Sequence, residues 1–156
     1  MTHEKAITTI ANLITHDVLR LYKEFELPDR RRADLLFITK SAHVGIIEVK
    51  TTWRASLIPN AMAKYAQWCH FLTIATTEPV DMNDPTLETK ILTIHKTPSS
   101  VGIAQITDRQ LLWLRQPLAR FMRAENLRTL SDAIPHTPLK VVATEKEKKR
   151  PHAATA

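Results

Sequence analysis

The sequence predicts a mixed α/β layer fold. Three observations carry that prediction. An apolar stripe recurs at three- and four-residue steps near the start of the chain. Two short apolar runs then flank a polar turn just before Gly45. A helical stretch beginning at a proline follows and leads into another apolar run.

Taken in order, Ala6, Ile7, Ile10, Ala11, Ile14, Val18 and Leu21 place one apolar face on a helix. Tyr22–Leu27 alternates Phe25 and Leu27 with Glu24 and Glu26, which is the period of a strand, and Pro28 ends it. Residues 30–39 hold an apolar run too short for a helix and suited to a strand covered on both faces. Lys40–Val44 is polar enough to turn, and Gly45–Thr51 is again strand-like, so the two runs should form a hairpin. Pro59 suits a helix start, and Ala61–His70 should be that helix, running into the strand Phe71–Ala75. Thr76–Thr89 reads as an acidic loop with two prolines. Ile91–His95, Val101–Thr107 and Leu111–Leu114 read as strands, and a basic helix is expected from about Leu118 to Leu130.

With 156 residues the chain has room for one domain and a real core, and its 44% hydrophobic content excludes global disorder and low-complexity classes. The domain is expected over 1–136, with a basic, disordered tail over 137–156 rich in Pro, Lys, Glu, Ala and Thr. No stretch approaches the ~18 apolar residues of a membrane helix, and Met1–Lys5 has no apolar run behind its charges, against a secretory signal. One cysteine, Cys69, makes neither an internal disulfide nor a Cys-rich zinc site, so a reducing, cytoplasmic setting is expected. The histidines show no ligand spacing. Gly45 and Gly102 are the only glycines, which excludes glycine-rich phosphate cradles.

The formal charge of +6 is compatible with a polyanion partner. Lys140–Arg150 contains five basic and two acidic residues, so half of that excess lies in the tail. The sharper feature is Asp34, Glu48 and Lys50 in two otherwise apolar strands, where charge is costly unless paired or used. Glu48 and Lys50 share a strand face, with Val49 between them. A hairpin turning near residue 42 would pair residue 34 with 50 and residue 36 with 48. Asp34 would then lie opposite Lys50 and roughly 7–8 Å diagonally from Glu48. Two such carboxylates, with the free Val49 carbonyl, suit a hard cation such as Mg²⁺. An ordinary buried ion pair of Asp34 with Lys50 explains the spacing equally well.

Arg31–Arg32–Ala33–Asp34–Leu35–Leu36 followed by Ile46–Ile47–Glu48–Val49–Lys50–Thr51 resembles the core of the PD-(D/E)xK nucleases, and more narrowly the MmcB-like family of DNA-repair endonucleases. Glu24–Phe25–Glu26–Leu27–Pro28 fits the acid-containing strand that precedes Arg-Arg-Ala-Asp in that family, and Tyr65–Ala66–Gln67–Trp68–Cys69–His70 is similar to its Tyr-x-x-Tyr-Cys-Asp helix end. Ala61 and Met62 depart from its Lys-Trp pair. The resemblance implies a restriction-endonuclease-like fold, with a mixed central sheet flanked by helices. It implies Mg²⁺, or Mn²⁺ in its place, and hydrolysis of DNA phosphodiesters. Asp34 and Glu48 would be the metal carboxylates, joined by the Val49 carbonyl, with Glu24 as a supporting acid and Lys50 as the catalytic lysine. Arg31, Arg32, Thr51, Trp53 and Gln67 are the expected nucleic-acid contacts, with Tyr65 beside Gln67. Many such nucleases act as homodimers. A catalytically inactive DNA-binding module is the rival expectation. Arg115, Arg120, Arg123 and Arg128 are either a phosphate-contacting face or a solvated one.

Overall fold

The computed structural model describes residues 1–14, 17–54, 56–79 and 100–135. Its core is a six-stranded mixed sheet whose order follows the chain. The strands are β1 Val18–Glu26, β2 Arg32–Thr39, β3 Val44–Lys50, β4 Phe71–Thr76, β5 Gly102–Ile106 and β6 Leu111–Arg115. β1–β2, β2–β3 and β5–β6 pair antiparallel. β3–β4 and β4–β5 pair parallel. Helix α1, His3–Leu13, lies on one face. Helix α2, Leu57–Tyr65, the 3₁₀ turn Ala66–Trp68 and helix α3, Ala124–Ala133, lie with the core on the other.

The layers follow from where apolar side chains fall. Ala6, Ile7, Ile10 and Ala11 of α1 pack with Leu35, Ile47, Val49, Ala75 and Ala104. Tyr22, Leu36, Ile46, Leu72 and Ile74 pack beneath Ile58, Ala61 and Tyr65 of α2. β3 is covered on both sides, so Val44 to Val49 are all buried and the strand reads as a nearly continuous apolar run. The parallel step from β3 to β4 needs a crossover, which α2 supplies.

The expected helix over Ala6–Leu21 is corrected. α1 ends at Leu13, and Val18 to Leu21 belong to β1. Val18 and Leu21 match helical spacing, but both are buried against the sheet once β1 pairs with β2 from Val18↔Thr39 onward. The turn at Asp17 adopts a left-handed φ of 59°, and the Asp17 carbonyl accepts from the Lys40 amide.

The expected basic helix from Leu118 is also corrected, because α3 begins at Ala124. Pro117 has no amide to give a helix. The amides of Leu118 and Arg120 donate instead to the carbonyls of Ser100 and His70, which holds the segment against the sheet. Only Arg128 of the four arginines lies in a helix. Arg115 gives its Nε to the Val101 carbonyl at 2.8 Å and has both terminal nitrogens buried, so it is no open phosphate contact. The expected strand Ile91–His95, most of the acidic loop and the tail lie outside the described residues.

At the other pole of the sheet, the Val44 amide donates to His70 Nδ1 at 2.9 Å, and the His43 ring packs edge-on against His70 at 5.0 Å. Protonating Nδ1 would break the Val44 bond. Burial, and then the positive charge of His43, hold His70 below its ordinary pKa. The unfolded chain therefore takes the proton first as pH falls. This stabilisation is present above about pH 6.5 and lost below it. Urea midpoints at about pH 7.5 and about pH 5.5 should show destabilisation on acidification. The effect should shrink in His70→Gln, whose amide oxygen accepts from Val44 without titrating; an unchanged drop would rule out this cause.

Candidate functional site

Asp34, Glu48, Val49 and Lys50 meet where β2 and β3 part. The ladder runs Ile38↔Val44, Phe37↔Gly45, Leu36↔Ile46 and Leu35↔Ile47, and ends there. This corrects the expected register by two residues: Leu36 faces Ile46, and continuing the ladder sets Asp34 across from Glu48. A shift of two keeps every side chain on its expected face, whereas a shift of one would have reversed them.

Beyond the ladder, Asp34 takes the place of a backbone partner. Its Oδ2 accepts from the Val49 amide at 2.7 Å. That bond holds the carboxylate between the separating strands. His3, the first residue of α1, closes the other side. Its Nε2 stands 3.3 Å from Asp34 Oδ2 and 3.0 Å from the Val49 carbonyl oxygen. Since a carbonyl only accepts, this nitrogen is the donor when both contacts are hydrogen bonds. The Val49 carbonyl is thus not the free oxygen expected of it.

Glu48 and Lys50 do lie on one strand face, and Lys50 pairs there. Its Nζ is 3.4 Å from Glu48 Oε1, so the alternative of an ordinary Asp34–Lys50 ion pair is replaced by a Glu48–Lys50 pair. Glu48 is 7% exposed, while the Lys50 side chain is 38% exposed. The inner end of the pair is therefore fixed and the outer end open to solvent.

Tyr65, at the end of α2, supports Glu48 from below. Its hydroxyl lies 3.3 Å from Glu48 Oε1 and 3.0 Å from the Arg32 carbonyl, and donates its one proton to one of them at a time. Burial first, then the negative charges of Glu48 and Asp34, push the phenol pKa up. Tyr65 thus stays protonated and acts as a donor. Cys69 next to this helix is buried, bonds the Tyr65 carbonyl at 3.4 Å, and is pushed up by burial to about 12. It is an inert thiol.

The remaining sequence-selected residues are placed unevenly. Arg31 is held on Asp29 at 3.3 Å, and its charge is near enough to Tyr65 to oppose the rise in its pKa. Arg32 is exposed and contributes its carbonyl to Tyr65. Glu24 falls across from Asp34 in the β1–β2 register, between Lys23↔Leu35 and Phe25↔Ala33. Its φ is +50°, and its side chain is exposed. Thr51 is exposed at the end of β3, with its carbonyl accepting from Thr77. Trp53 packs a partly buried ring against the core, with Nε1 buried and unpartnered. Gln67 is exposed on the 3₁₀ turn, and no hydrogen bond joins it to the cluster.

The donor set fits a divalent cation in kind. A carboxylate oxygen of Asp34 and the Val49 carbonyl oxygen both stand beside His3 Nε2, at 3.3 Å and 3.0 Å. Glu48, the residue before Val49 on β3, adds a buried carboxylate that contacts Lys50 and Tyr65. Among the described residues, no group of three or more His, Cys, Asp or Glu side chains is gathered as a metal site would gather them.

No family model matches this chain. No curated protein matches it either. Among solved structures it is similar to SPO1766, a protein of unknown function from Silicibacter pomeroyi, with 16% identity, a TM-score of 0.57, and 96% of this chain and 89% of that chain covered. This likeness bears on the fold alone. No helix among the described residues is long and apolar enough to cross a membrane.

Proposed function

We propose that this chain is a metal-dependent DNA endonuclease of the PD-(D/E)xK type, with the restriction-endonuclease-like version of the mixed α/β fold, acting in DNA repair or processing. The observation that carries the reading is that Asp34 Oδ2 and the Val49 carbonyl oxygen both lie against His3 Nε2, next to the Glu48–Lys50 pair of β3. Mg²⁺ held there by Asp34, Val49 and Glu48 would polarise a phosphodiester and supply its nucleophilic water.

The chain's own residues do the rest. The Val49 amide fixes the Asp34 carboxylate. Tyr65 steadies Glu48 and stays neutral while doing so. Lys50, anchored at Glu48 and open to solvent, sets positive charge where a phosphate would arrive and can move a proton at the attacking water. Arg31 and Arg32, two and three residues before Asp34, guide the backbone of the DNA. Two copies acting together would cut both strands.

The test is incubation of the purified chain with supercoiled, linear duplex and single-stranded DNA, with Mg²⁺ and with chelator. Cleavage that requires the cation is expected. DNA binding that weakens steeply with salt but yields no cut strand under any cation would replace the enzyme by a binding module.

A further inference from the structure

We propose that His3 is a third ligand of the cation site, which makes the site favour Mn²⁺ over Mg²⁺. This rests on the metal-dependent reading above and goes beyond its carboxylate set.

The argument starts from one atom. His3 Nε2 lies 3.0 Å from the Val49 oxygen and 3.3 Å from Asp34 Oδ2. Two ligand atoms bound side by side to one octahedral cation, each at ~2.1 Å, stand ~3.0 Å apart. The nitrogen thus stands from each oxygen at about the separation of neighbouring ligands on one cation. As an N–H, the nitrogen bridges the two oxygens by donating to them. In the neutral tautomer with the proton on Nδ1, Nε2 instead has a lone pair, on the side where the two oxygens lie.

The placement is built rather than incidental. His3 opens α1, and the Thr2 side chain caps that helix by accepting from the Lys5 amide at 3.1 Å. Ala6, Ile7, Ile10 and Ala11 then lock α1 onto the sheet through Leu35 and Ile47, the neighbours of Asp34 and Glu48, and through Val49 itself. The His3 side chain is 47% exposed and Asp34 18%, so a cation enters from solvent without unpacking the core.

The chemistry gives the preference. Mg²⁺ takes oxygen ligands and holds its waters. Imidazole nitrogen adds affinity for first-row transition cations. A site of one carboxylate, one carbonyl and one imidazole, with Glu48 beside it, therefore gains more with Mn²⁺ than with Mg²⁺.

The experiment titrates Mn²⁺ and Mg²⁺ into the full chain by calorimetry and records the electron spin echo of bound Mn²⁺. Wild type, His3→Ala, His3→Gln and Asp34→Asn are compared, with thermal melts to confirm folding. Wild type should bind Mn²⁺ at least ~tenfold tighter than His3→Ala, with Mg²⁺ affinity changing less than ~threefold. Nitrogen modulation of the Mn²⁺ echo should be present in wild type and absent in both His3 variants. Mn²⁺ binding that Asp34→Asn abolishes, yet that His3→Ala leaves equal in affinity and echo, overturns the ligand role and leaves the nuclease reading standing. A folded wild type that binds no Mn²⁺ overturns both.

Discussion

Replacing Lys50 by glutamine is expected to slow cation-dependent DNA cleavage by about 10²–10⁴-fold, the usual range for a lost proton-transfer group. Glutamine keeps much of the stem and a donor for Glu48, but no charge. The fold should tolerate it, because the Lys50 end of the pair is 38% exposed and Glu48 keeps the Tyr65 hydroxyl. Initial cleavage rates on one DNA substrate, read beside a thermal melt and a DNA-binding isotherm, separate the outcomes. Loss of cutting with binding and melting retained assigns Lys50 to the chemistry. Cutting at the wild-type rate removes Lys50 from it.

The largest effect on stability is expected at Gly102, far from the acids. A Cβ there would lie 2.7 Å from Thr73 Oγ1 and 2.8–2.9 Å from Pro117 Cδ and N. Pro117 cannot yield easily, since the next residue, Leu118, donates its amide to the Ser100 carbonyl. Gly102→Ala should therefore cost about 1–3 kcal/mol through overpacking and lower the melting temperature by roughly 3–10 °C. Gly45→Ala makes the useful contrast. Its Cβ would meet the ring end of Phe37, a partly exposed side chain that can swing aside. A Gly102→Ala melt as high as wild type would show that the 117–118 segment is not held against β5 as described.

Much of the sheet was legible because local pattern and tertiary burial agree there. β3 reads as an apolar run since helices cover both its faces, and Gly45 to Val49 are buried. Charged residues inside such a run stand out against it, which is why Glu48 and Lys50 could be singled out without a structure. The parallel step to β4 follows from the helix between them.

Where the reading failed, a non-local bond outweighed local preference. Val18 and Leu21 fit a helix stripe until pairing with β2 claims them for a strand. The segment from Leu118 to Arg120 fits the start of a basic helix until the carbonyls of Ser100 and His70 take two of its amides. The hairpin register missed by two residues because periodicity fixes the face of a side chain and leaves its partner open.

The sequence by itself determined the element order through β4, the strand face shared by Glu48 and Lys50, and the closeness of Asp34 to them across one hairpin. Those properties depend on alternation and on short chain separations, both written locally. Only the tertiary structure decided that Asp34 accepts from the Val49 amide, that Lys50 pairs with Glu48, that Tyr65 supports Glu48, and that His3 faces Asp34 and Val49. His3 is 31 residues from Asp34 and 46 from Val49 along the chain, and no spacing rule spans that distance. It arrives because α1 buries its apolar stripe on the sheet, and that docking sets where its first residue falls.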